Sequence, residues 1–238
     1  ILKFQALQSY LKANGAKLDD VTQLSYRSGE WPGYLQINLK DGRALKAEKF
    51  YYNYLIPFFI TKRSSQLAVD FTNELTDISV GDAWAPEYEK QGGGYSVILT
   101  RTIAGQEILN SMQSQNSIKL TPISNKKVIE MHAHMIDFKK RGTFIRMQIR
   151  ALRGKGNPDF GYEPVHIPIT RYFIEAIISG LFLIGSTNIA RWIIEHLPLL
   201  VVGPVFNWLR LTWKNLSKGS KRKGLPAIQF RLKPSKER

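Results

Sequence analysis

Cysteine is absent from all 238 residues. That absence removes disulfides, zinc–thiolate centres and thiolate-held iron–sulfur clusters, and it leaves the redox compartment open. Any metal would need His, Asp or Glu. Long apolar runs are missing too. In the most apolar part, residues 171–216, the uncharged stretch from Ala176 to Ala190 holds 15 residues, short of the roughly 20 that a spanning helix needs. This part is expected to form a core or interfacial helix pair. No basic, apolar and small-residue leader follows Ile1, so a cytoplasmic chain is expected, and the missing initiator Met points to a fragment or a processed chain. Neither G-x-S-x-G, H-E-x-x-H nor a Walker loop occurs, which leaves nucleophilic and zinc-hydrolytic chemistry without support.

Acidic residues are scarce in one half. Residues 1–130 carry 15 Lys and Arg against 13 Asp and Glu, whereas residues 131–238 carry 19 against 6. The surplus of positive charge therefore lies in the second half, and its densest run is the tail. Such a tail suits an anionic membrane surface, an acidic partner or nucleic acid. No recognised nucleic-acid module accompanies it, so nucleic acid ranks last. With 43% hydrophobic residues, the chain has an ordinary globular composition.

The pattern along the chain predicts an α+β fold: a mixed-sheet domain over 1–123, followed by a helical, basic C-terminal region over 124–238. Phe4, Leu7 and Leu11 share one helical face, and Asn14-Gly15 make a stop. YLQINLKDGRALKAEKF (34–50) reads as a hairpin with a tight primed turn at Asp41-Gly42. YYNYLIPFF (51–59) reads as a short buried helix. DISVGD (77–82) and YSVILTR (95–101) read as strands around a Gly-rich loop. Ala104, Ile108 and Met112 mark the inner face of a helix, and SIKLTPI (117–123) reads as a further strand. In the tail, Phe206, Leu209, Trp213 and Leu216 share one face of a last helix and Arg210, Lys214 and Lys218 another. That layout fits a membrane interface, a partner groove or plain packing on the domain.

Two local features invite a ligand. His132 and His134, with Glu130 and Asp137 nearby, resemble metal ligands, but residues two apart on a helix point away from each other. Gly92–Gly94 resemble a phosphate loop, yet this loop leads into a strand rather than the helix N-terminus that binds phosphate.

Three longer motifs carry a resemblance. YRSGEWPG (26–33), RSSQLAVDFTNELTDISVGDAW (63–84) and GYSVILTRTIAG (94–105) resemble, in order and spacing, the C-terminal domain of the beta subunit of coenzyme F420-reducing hydrogenase and dehydrogenase. The likeness is dense over residues 1–110 and weak beyond. It implies a flavoprotein in which FAD exchanges a hydride with a deazaflavin or another organic partner. Electrons would pass singly through 4Fe-4S clusters to other redox subunits or an electron carrier. Where the family has C-x-x-C-x-D, this chain carries Ser65, Ala68 and Asp70. Serine and alanine are close to cysteine in size, so the fold can survive the change, but neither supplies the thiolate a cluster requires. A natural loss and a deliberately cysteine-free version both fit.

The resemblance also marks a flavin cleft. Gly81 would let the backbone approach closely, and Ser79 and Ser96 would offer hydroxyl donors. Arg101 would meet the pyrophosphate or the anionic reduced ring, and Asp82 would orient Arg101 or accept from a ribose hydroxyl. A structural alternative stands beside these roles: Asp77 and Asp82 as turn caps, Arg101 as a bridge to one of them, Trp31 and Trp84 as core or wall residues. Two functions follow. One is a flavin-dependent oxidoreductase subunit. The other is a non-catalytic interaction or peripheral-membrane module that has lost its iron–sulfur centre.

Overall fold

A computed structural model describes residues 4–31, 33–48, 66–91, 94–197, 200, 201, 203–205, 207, 208, 211 and 228–234. It is an α+β protein, with every described strand pair antiparallel. The expected helix at 51–59, Ser65, Gly92 and Gly93, and the tail-helix positions 206, 209, 210 and 212–218 lie outside the described residues.

The first layer pairs a helix with a sheet. Helix α1 (Phe4–Ala13) ends as its sequence predicts: Gly15 is left-handed (φ 66°), and the Ala16 amide donates to Leu11 O and the Gly15 amide to Lys12 O. This is the paired-bond helix stop that glycine favours. Strands β1 (Val21–Ser28), β2 (Tyr34–Leu39) and β3 (Ala44–Glu48) form a three-stranded meander. The strict alternation of β2 turns Leu35, Ile37 and Leu39 inward onto Leu7, Tyr10 and Leu11 of α1. The β2–β3 turn is not primed. Asp41 keeps a negative φ and only Gly42 is left-handed (φ 85°). Asp41 spends its carboxylate on the Arg43 amide and guanidinium instead, which selects a longer loop around one left-handed glycine.

A second hairpin follows: β4 (Ile78–Asp82), a one-turn helix α2 (Pro86–Glu89) and β5 (Ser96–Thr100). Helix α3 (Ile103–Ser114) then starts at Thr102, whose hydroxyl accepts from the Gly105 amide. Its inner face is set by Gly105 and Leu109, while Ile108 and Met112 are exposed. Gly105 decides this: a Cβ there would lie 2.8 Å from Asp77 O, so the helix rests on the β4 backbone through its smallest residue. Residues 117–123 are not a strand. Asn116 (φ 53°) closes α3, and the chain then runs without a ladder partner to Ser124, which caps the next helix.

Helix α4 (Asn125–Asp137) passes through a π-turn (Phe138–Gly142) directly into α5 (Thr143–Leu152). Strand β6 (Tyr162–Pro164), α6 (Ile169–Gly185) and α7 (Asn188–His196) come next, and β7 (Phe230–Leu232) returns to pair with β6. Phe144, Phe160, Tyr162 and Phe230 pack around that return in tilted and edge-to-face contacts. The C-terminal helices are not a detached extension. Ala190 of α7 is buried in the α1–sheet core with Ile193 packed against it, and Glu195 of α7 accepts from Ser9 (2.9 Å) and Lys12 (2.7 Å) of α1.

Candidate redox site

The β4–β5 hairpin carries four of the five expected cofactor residues. Its register pairs Asp82 with Ser96 and Gly81 with Val97. Because side chains alternate along a strand, the four divide between two faces. Ser79 and Gly81 lie on the side of Val97, which belongs to a core with Ala83, Ala85 and Met131. Asp82 and Ser96 stand side by side on the other face, both exposed. Nothing lies within 4 Å of where a Cβ of Gly81 would be, so the backbone there is open to approach.

Arg101 follows β5 and is turned inward on the preceding loop. One guanidinium nitrogen donates to Ser79 Oγ (3.1 Å) and Thr76 O (3.4 Å), and the other to Thr72 O (2.8 Å). Its amide donates to Asp77 O. Arg101 thus ties residues 72–79 into a fixed loop. Of the two acids expected as caps, Asp77 does part of the same work, accepting from Thr102 Oγ1 (2.6 Å); Asp70, not among them, accepts from the amides of Thr72 and Glu74.

The three motifs meet at an aromatic contact. Trp31 of the first and Trp84 of the second stack with centroids 4.8 Å apart. Gly94, opening the third, lies so close that a Cβ would sit 3.1 Å from Trp31 Cδ1. The Trp31 indole N–H is buried and has no hydrogen-bond partner among the described residues, which leaves a donor open to an acceptor from outside them.

His132 also reaches this region. It is half-buried, packs on Phe71 (5.6 Å) and bonds to the Asp82 backbone. Burial lowers its pKa, opposed by Asp82. Ala133, between His132 and His134, is buried. Among the described residues no group of three or more His, Cys, Asp or Glu can hold a metal. The sequence marked His132 for its neighbour in the HAH motif, whereas its contacts are with strand β4 and Phe71.

The segment around Ala68 is held from the C-terminal half. Arg146 is buried and donates to Gln66 O (2.9 Å), Glu175 Oε1 (2.6 Å), Phe138 O (2.9 Å) and Thr143 Oγ1 (2.9 Å), with its guanidinium 4.0 Å from the Phe138 ring centre. The Thr143 hydroxyl reaches the carbonyls of Gln66 and Ala68. Arg171 pairs with Asp137 (2.6 Å) and Glu175 (3.0 Å), and Arg141 with the other Asp137 oxygen (2.6 Å). Burial lowers the Arg146 pKa, against the pull of Glu175. The π-turn makes room for this cluster at Gly142, where a Cβ would lie 2.6 Å from Arg171 Nη2 and 2.7 Å from Glu175 Oε2. π-turns of this kind recur at functional sites. Nothing in the sequence pattern announced the cluster, since its members come from separate helices, on which charges ordinarily face water.

These donors do not fit an iron–sulfur cluster. Ala68 has no ligand atom and the chain has no thiolate. Among the described residues no helix is long and apolar enough to cross a membrane. No curated protein and no solved structure gives a significant match. Residues 2–126, which span all three motifs, match the family model for the C terminus of the coenzyme F420 hydrogenase/dehydrogenase beta subunit. The chain belongs to that family of redox-enzyme subunits.

Proposed function

We propose that the chain is a flavin-dependent redox subunit that works with partner redox subunits or an electron carrier. The family match over residues 2–126 carries this reading. The open backbone at Gly81, the exposed pair Asp82 and Ser96, and the unsatisfied Trp31 N–H support it as the place where a polar, ring-bearing cofactor meets the chain. Bound FAD would supply two-electron hydride exchange and one-electron transfer. Asp82 would accept from a cofactor hydroxyl, Ser96 would donate, and Gly81 would allow close approach. Arg101, whose Nη atoms are spent on the loop and Ser79, acts as a positioning residue for Ser79 and β4.

Titration with FAD, followed by quenching of flavin fluorescence, tests this. Saturable quenching is expected. Asp82→Ala should weaken it by roughly tenfold or more, since a hydrogen bond to a charged group is worth about 1.5–3 kcal/mol. Arg101→Ala should lower both affinity and melting temperature, because it frees the loop. An absence of saturable quenching in the parent would sink the flavin reading. It would favour the second reading, an interaction module without a redox centre, to which the cysteine-free sequence already leans.

A further inference from the structure

Helix α6 is inside out. An amphipathic surface helix normally turns its charges to water and its apolar stripe to the core. The only charged residues of α6, Arg171 and Glu175, are instead buried in the ion cluster. The opposite face presents Ile169, Phe173, Ile177, Leu183 and Ile184, each between 49% and 70% exposed. At 100° per residue these five fall within one arc of about 120°, and no charge interrupts it. Large side chains stay exposed further along, at Trp192 and Trp208.

Charge says what covers this face. The net charge is +15, and residues 131–238 contribute 13 of it, from 19 basic and 6 acidic residues. Five of those six acids, Asp137, Asp159, Glu163, Glu175 and Glu195, are already in ion pairs within the chain. The surplus must find its counter-charge outside. Lysine is depleted in protein–protein interfaces, yet four lysines and an arginine fall within residues 214–223. An exposed apolar helix face in a half of the chain rich in lysine and arginine suits a helix lying in the headgroup boundary. Paired charges turned away from the apolar side are likewise what a lipid-facing helix requires.

We propose that the outer face of α6 seats this protein on the surface of an anionic lipid bilayer, to which the positive charge of residues 131–238 draws it. With no membrane-crossing helix among the described residues, the contact lies along the surface and does not span it.

Flotation of the full chain with vesicles tests this, using phosphatidylglycerol mixed into phosphatidylcholine against pure phosphatidylcholine. Binding is expected to the anionic vesicles at low salt, to fall at least tenfold when salt is raised or the anionic lipid omitted, and to quench tryptophan emission when the lipid chains are brominated. Phe173→Glu with Ile177→Glu should reduce binding at least tenfold while circular dichroism and the melting temperature stay as in the parent. Should that pair disturb folding, Leu183→Asp at the far end of the stripe gives the same comparison. The proposal is overturned if the parent fails to float with anionic vesicles at low salt, or if the folded variants bind as the parent does. It is also overturned if neutral vesicles bind equally well. A dimer in sedimentation that the variants dissolve, without vesicle binding, would assign the face to a second copy of the chain instead.

Discussion

Arg146 has no slack. Four of its hydrogen bonds end on Gln66, Phe138, Thr143 and Glu175, all within the buried cluster. Removing one member of a buried ion pair leaves its partner charged and unpaired, which costs about 3–5 kcal/mol. Arg146→Leu should therefore lower unfolding stability by that amount. It should also raise amide hydrogen exchange in residues 66–70, because it holds the Gln66 carbonyl; exchange in that segment equal to the parent's would show that Arg146 does not brace it. Glu195 offers a milder case. The hydrogen bond from Lys12, helped by Ser9 and Arg191, lowers its carboxyl pKa below the usual 4.5. A depressed carboxyl stabilises the fold fully above its unfolded value and loses that contribution as pH falls through the folded one. Stability should thus drop as pH is lowered below 4.5, and Glu195→Gln should flatten part of that drop. Denaturant melts of both proteins between neutral pH and acid check the sign.

Elements were legible where local signals and packing agree. The Leu7–Leu11 face with its Gly15 stop, the β2–β3 hairpin and the β4–β5 strands all follow from short-range pattern. They fail where a single contact overrides the pattern. Gly105 resting on the Asp77 carbonyl turns α3 so that Leu109, not Ile108, faces inward. Strand β1 shows little alternation because much of it is exposed, and β6–β7 joins residues about 70 apart that no local signal connects. The candidate site divides in the same way. Asp82, Ser96 and Gly81 come from a recognisable motif, whereas His132 and the Arg146 cluster depend on long-range approach. Thr102 is a point where element and site meet, since its hydroxyl caps α3 and also donates to Asp77. Loss of a helix cap costs about 0.5–2 kcal/mol. Thr102→Val should lower stability within that range and loosen the 72–79 loop, seen as faster exchange at Asp77 and Arg101. An unchanged melt would remove the cap from the account.

At the scale of the whole molecule, the family match ends at residue 126, but the packing does not. Ala190 and Ile193 complete the α1–sheet core, Met131 completes the core beside β5, and the Gln66 and Ala68 carbonyls meet their donors on residues 143 and 146. A fragment of residues 1–126 would expose both cores and leave those carbonyls to water. Burying an apolar side chain contributes about 1.5–3 kcal/mol, so losing several together exceeds a large part of the roughly 5–15 kcal/mol that holds a typical domain folded. The fragment should therefore lack a cooperative thermal transition and show poorly dispersed amide resonances, while the full chain shows both a transition and dispersion. A fragment that melts cooperatively would mean that the family domain folds on its own and that the C-terminal helices dock on a finished surface. Glu195→Gln in the full chain separates the two cases further. If α7 is part of the core, the substitution lowers the stability of the α1–sheet layer. If α7 merely docks, the loss is confined to residues 188–196, and exchange in β2 stays as slow as before.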